Sequence, residues 1–197
     1  MIIRGPKNSE GAVVNAKGEL ATFSVSETEA QAALEAGLAY NLNTKDITSL
    51  TAGDATLIYL KNEEDQPIII EQLIIGIRGF TGLSDMAQWT TINNPTGGDL
   101  ITDATAAPIQ QNRKSRGKSL SSDTLVYKGK AGGTITGGDE ELYGYIPNNT
   151  RLPIPIGVEI DSGDSFAVKI ESDATAGTAY CAIVCHIKDA KRSDTVL

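Results

Sequence analysis

The strongest constraint on this chain is a succession of short apolar segments, rich in Ile, Val, Leu, Thr and Tyr, each closed by turn-forming residues. Segments 56–61, 68–77, 88–92, 124–127, 142–146, 152–160, 166–170 and 178–187 all read as strands. Asn62-Glu63-Glu64-Asp65-Gln66-Pro67 and Asn93-Asn94-Pro95-Thr96-Gly97-Gly98 are marked turns. Glu71 interrupts its strand and marks a kink or an exposed position, while Pro153 and Pro155 place theirs at an edge or a bulge. Leu100-Ile101 begins a return strand, and the polar stretch 103–123 reads as a long loop. About eight strands at such spacings predict a mainly β chain folded as a jelly-roll-like β-sandwich.

With 197 residues the chain holds one such domain, over 21–197. Aromatics make up only 5% against 40% hydrophobic residues, so the core must be aliphatic. One short α-helix is expected near 27–36. Ser26-Glu27-Thr28-Glu29 reads as its capping box, an Ala-rich stretch follows, and Gly37 supplies a left-handed stop. Such a helix is a brace against the sheet. Residues 1–20 are rich in Gly, Asn, Lys and Glu, with Val13-Val14 as the apolar anchor. They predict an extended N-terminal arm that orders on a partner, or else a simply disordered terminus.

Catalytic and metal chemistry find little support. His186 is the sole histidine, which excludes a zinc site built on two or three His and an HExxH motif. A surface or interface imidazole is the expected role for it. Cys181 and Cys185 share one face of a strand, with Cα atoms about 13 Å apart at ~3.3 Å per residue. That separation excludes a disulfide between them and predicts two buried thiols. Asn112-Arg113-Lys114-Ser115-Arg116-Gly117-Lys118-Ser119 imitates a phosphate loop, but its first glycine is Asn112, and no strand precedes or helix follows it. The acidic clusters 63–65, 139–141 and 161–164 do not match a Ca²⁺ loop. Asn148-Asn149-Thr150 fits a glycosylation sequon, without a secretion signal to give it meaning. No enzyme, cofactor or metal is expected.

The formal charge of −8 opposes nucleic-acid binding, which needs cations to replace phosphate counterions. No apolar stretch approaches a membrane span. Against this acidity stands one basic cluster, Arg113, Lys114, Arg116 and Lys118. Four like charges within six residues repel unless something offsets them, so the cluster is a candidate contact with an acidic neighbour, alongside Val13 and Val14.

Residues 29–33 and 37–44 resemble a family of virion structural proteins from tailed bacteriophages. So do Tyr59-Leu60-Lys61-Asn62, Ile68-Ile69-Ile70-Glu71, Gln111-Asn112-Arg113 and Val184-Cys185-His186-Ile187-Lys188-Asp189. The resemblance covers most of residues 20–189 in the same order. It implies a capsid decoration or cement protein on the outside of a phage head, assembled in the host cytoplasm. Its partners would be the major capsid protein and copies of itself, with a trimer as the expected oligomer. It carries over no catalytic residues. The alternative is a receptor- or glycan-binding module of a tail or fibre. Exposed aromatics would favour it, and only Trp89 and the six tyrosines are candidates.

Overall fold

In the computed structural model the chain is described at residues 2–4, 11–14, 20–23, 28–50, 52–82, 86–99, 109–112, 117 and 119–188. The N-terminal stretch holds β1 (Ile2–Arg4), β2 (Gly11–Val14) and β3 (Leu20–Phe23), then α1 (Glu29–Ala36). The first half of the sandwich comprises β4 (Ala39–Asn43), β5 (Gly53–Lys61), β6 (Ile68–Thr81) and β7 (Met86–Asn93). Short strands β8 (Gly97–Gly98), β9 (Ile109–Asn112), β10 (Leu125–Lys128) and β11 (Ile135–Thr136) follow. The second half is β12 (Asp139–Pro147), β13 (Arg151–Ile160), β14 (Ser165–Ser172) and β15 (Ala176–Ile187).

The pairing is nested. β4 pairs with β15, β5 with β14, β6 with β13, β7 with β12 and β8 with β11, all antiparallel. Rolling such a ladder alternates successive pairs between two sheets, ordered β13-β6-β15-β4-β9 and β10-β5-β14-β7-β12. The strands β4–β7 and β12–β15 therefore form an eight-stranded jelly roll, extended at one edge of each sheet by β9 or β10.

The core between the sheets is aliphatic, as the composition requires. Leu42, Leu57, Ile58, Leu60, Ile68, Ile70, Leu73 and Ile75 are fully buried, joined by Phe166, Val168 and Ile183. Each contributes about 1.5–3 kcal/mol of burial free energy. Cys181 and Cys185 lie in this core as buried thiols, and burial pushes the Cys181 thiol up. Three aromatics lie over glycines of neighbouring strands, where a Cβ would strike the ring: Tyr180 over Gly76, Phe80 over Gly177 and Trp89 over Gly144.

Several expectations change in detail. The capping box sits two residues later than Ser26–Glu29 places it. Thr28 is the N-cap, its hydroxyl accepting from the Gln31 N–H while the Gln31 side chain accepts from the Thr28 N–H. Both quartets fit the pattern, and Ser26 lies outside the described residues. Gly37 ends the helix at φ 78°, and α1 packs on β4 and β15 as a brace, burying Ala33. Where an extended arm is expected over 1–20, the described residues pair as an antiparallel three-stranded sheet, β1-β2-β3. The polar stretch 103–123 is not all loop: β9 pairs with β4 at a sheet edge, where backbone bonding needs no apolar alternation. Leu100 and Ile101 lie outside the described residues.

Glu71 is the bulged residue in the β6–β15 ladder, which passes from Val184↔Gln72 to Cys185↔Ile70. Its carboxylate lies 2.9 Å from His186 Nδ1. His186 is thus not a surface imidazole: it is 3% exposed, held by the carboxylate that the bulge presents. Asn148 is likewise used internally. Its side-chain oxygen accepts from the Phe80 N–H and its amide donates to the Phe80 carbonyl, so the sequon asparagine acts as a short extension of the ladder.

Two predictions follow from this core. Tyr40 is buried, and its hydroxyl has no hydrogen-bond partner among the described residues. Burial, aided by the charges of Glu64 and Cys185, pushes its pKa up to about 12 from 10.0. The unfolded phenol ionises first, so this contribution to stability is whole below pH 10 and is lost as pH rises towards 12. Tyr40→Phe should be neutral or stabilising by up to about 1 kcal/mol at pH 7. In urea unfolding, its advantage over the parent should widen between pH 10 and 12; a constant gap would refute the assignment. Cys181→Ala with Cys185→Ala should cost about 1 kcal/mol per site without loss of the fold.

Candidate interaction surface

The outer face of the β10-β5-β14-β7-β12 sheet is divided into three zones. At one end Tyr59 and Tyr127 stack with centroids 5.9 Å apart. With Ile92, Ile135 and Ala167 they form a second buried cluster on this face, and the β8–β11 pair contributes Ile135 to it. In the middle lies Lys169, its side chain only 17% exposed, with Nζ 2.7 Å from Glu140 and 3.8 Å from Asp54. The hydrogen bond to Glu140 is the main reason its ammonium stays charged above the ordinary lysine range.

The third zone is uncovered. Tyr143 is 70% exposed, Tyr145 55% and Met86 42%, with Leu142 beside them at 37%. Tyr143 stands opposite Thr90 and Tyr145 opposite Gln88, so both rings share the outer face with these side chains. Glu171 pairs with Gln88 from the other side. The local sequence produces this arrangement. A register shift between Glu140 and Tyr143 resets the alternation, and the Thr91 hydroxyl holds it by accepting from the Leu142 N–H at 3.0 Å and donating to the Leu142 carbonyl at 3.4 Å. Beyond the shift, Gly144 and Ile146 face inward, with Trp89 filling the space over Gly144, and the two tyrosines are left outside. The result is an apolar, aromatic centre on an edge strand whose first residues, Asp139, Glu140 and Glu141, are exposed acids. An apolar centre with a polar rim is the usual anatomy of a protein contact.

Arg113, Lys114, Arg116 and Lys118 fall outside the described residues; the segment that carries them follows β9. Val13 and Val14 belong to β2, with Val13 opposite Ile2 and Ala21, and Val14 opposite Leu20. Of the aromatics named as candidates, Trp89 and Tyr40 are buried in the core, Tyr59 and Tyr127 in the second cluster, Tyr180 lies over Gly76, and the exposed ones are Tyr143 and Tyr145. Among the described residues no group of three or more His, Cys, Asp and Glu is placed to hold a metal ion, and no helix is long and apolar enough to cross a membrane.

No protein-family model matches the chain, and no curated protein matches it in sequence. Among solved structures it is similar to a chain of the infectious bursal disease virus particle, at 10% identity and a TM-score of 0.31, over 88% of this chain and 35% of that one. It is also similar to a mutant VP2 protein of infectious bursal disease virus, at 9% identity and a TM-score of 0.18, over 94% of this chain and 46% of that one. The chain thus spans less than half the length of either. Likeness at this level carries no argument, and the jelly roll rests on the strand order alone.

Tyr143→Ser with Tyr145→Ser should leave the stability of the free protein within about 0.5 kcal/mol per site, because neither ring serves the core. Gly144→Val, between them, should cost about 1–3 kcal/mol, because its side chain must displace the Trp89 indole. Denaturant unfolding of both variants measures this; a large loss in the tyrosine pair would place those rings in the fold rather than on a surface.

Proposed function

We propose that this chain is a non-enzymatic structural subunit of a virion: a decoration or cement protein on the outer surface of a phage head. It acts mechanically, without a cofactor. Each copy binds the major capsid protein and other copies of itself, as a trimer, and the added association free energy stabilises the shell by mass action. The carrying observation is the exposed Tyr143, Tyr145 and Met86 surface at an open edge of the jelly roll. Large amphipathic rings lose little conformational freedom on docking and bury about 150–250 Å² each. The resemblance of residues 20–189 to tailed-phage virion proteins supports the same reading. Arg113, Lys114, Arg116 and Lys118 would steer encounter with an acidic capsid surface, and Val13 and Val14 would anchor the N-terminal stretch there.

The same tyrosines favour one alternative. Jelly rolls also serve as lectins. Tyr143 and Tyr145, flanked by Gln88 and Glu171, offer a stacking platform with hydrogen-bonding neighbours for a glycan or receptor on a tail or fibre.

Undecorated capsids distinguish the two. The parent chain should bind them, and Tyr143→Ser with Tyr145→Ser should weaken binding at least about tenfold. Replacing Arg113, Lys114, Arg116 and Lys118 with Ser should slow binding and flatten its salt dependence, with smaller loss of affinity, since exposed pairs contribute only ~0–1 kcal/mol each. Mass spectrometry of purified particles should give hundreds of copies for a head protein. Capsid binding unchanged in both variants, with glycan capture that depends on the tyrosines, would replace this reading with the alternative.

A further inference from the structure

Of the four edge strands of the two sheets, the two long ones, β12 and β13, are built differently. β13 ends one sheet, and Pro153 and Pro155 remove backbone donors along it, which closes that edge to another strand. β12 ends the other sheet with proline only at its last residue, Pro147. The N–H and C=O of Leu142 turn inward, to the Thr91 hydroxyl on β7. Strand alternation therefore turns the backbone groups of Tyr143 and Tyr145 outward, and no described strand pairs with them.

We infer that this edge pairs, antiparallel, with β12 of a second copy about a two-fold axis at Gly144. The inference rests on the proposed use of this surface in assembly and names its partner. In that register Tyr143 lies opposite Tyr145 of the second copy, and Tyr145 opposite Tyr143, so the outward donors of one strand meet the outward acceptors of the other. Leu142 falls opposite Ile146 and Glu141 opposite Pro147. Asp139 and Glu140 lie beyond the end of the pairing, so no carboxylate faces a carboxylate. A parallel, in-register pairing would set 139–141 on its own copy and repel. Gly144 at the axis adds no side chain, and Trp89 already fills the inner side above it. The tyrosines of both copies then share one face, as aromatic cross-strand pairs. Two five-stranded sheets become one continuous sheet across the axis. This contact is isologous. It is separate from the three-fold contact of a trimer and would join one trimer to the next.

Sedimentation equilibrium of the full chain tests the pairing. Tyr145→Pro removes an outward N–H without touching the β7 ladder, and Tyr145→Lys keeps that N–H but adds the charge that natural edges use against pairing. Each should raise the dissociation constant of the two-fold step at least about tenfold. Tyr143→Cys mixed with Tyr145→Cys should form a crosslinked dimer faster than either variant alone. The pairing is overturned if association of the parent is indifferent to both Tyr145 substitutions, or if the mixed cysteines crosslink no faster. Capsid binding that persists in that case gives the surface to the capsid protein and leaves the proposed function standing. Glycan capture by the tyrosines without self-association would give it to a sugar. Self-association without capsid binding would defeat the proposed function and leave the pairing intact.

Discussion

The rest of the structure depends on the ladder between β6 and β15, which runs from Ile68↔Ile187 to Thr81↔Ala176. It sets Ile70, Leu73, Ile75 and Ile77 on one strand and Cys181, Ile183 and Cys185 on the other into the core. A slip of one residue would turn each of these sets to the opposite face. Two features hold the register. The extra residue at Glu71 is fixed by its contact with His186, and the Tyr180 ring fits only over a residue without a side chain, Gly76. With so few aromatics, the chain uses several of them in this way, filling with a ring the space that a neighbouring glycine leaves empty.

Around that ladder the nested pairing decides which strands end a sheet. β12 and β13 are consecutive in sequence, joined by a turn in which Asn148 bonds both backbone groups of Phe80, yet they finish opposite sheets. One edge is closed by prolines. The other is open and carries two exposed tyrosines bordered by acids. Assembly, in the reading proposed, depends on this asymmetry: with both of these long edges open the sandwich would pair indiscriminately, and with both closed only the short edge strands β9 and β10 would offer backbone to a second copy.

Much of the architecture was legible in the residues. The eight expected strands, though not β4, the turn at 62–67, the irregularity at Glu71, the edge position of Pro153 and Pro155, the helix stop at Gly37 and the burial of both cysteines all follow from local signals that tertiary contacts did not override; in the turn expected over 93–98, Asn93 still belongs to β7 and Gly97–Gly98 pair as β8. The candidate surface was not legible. In Leu142-Tyr143-Gly144-Tyr145-Ile146 both faces of the strand carry apolar residues, so alternation cannot say which face is buried. His186 misled for a related reason: its partner, Glu71, is 115 residues away and meets it only across the sheet. β9 has too little apolar content to be seen as a strand, because an edge strand is held by backbone bonds that any side chain permits.

The sequence by itself determined the class of fold, the aliphatic character of the core and the exclusion of a zinc site built on two or three histidines, because these depend on composition and on spacing along one strand. Only the tertiary structure decided that β12 ends a sheet, that Trp89 lies over Gly144 and that Tyr143 and Tyr145 stand outside. Strand order and register join residues far apart in the chain, and a strand's own sequence does not encode which neighbour it will have.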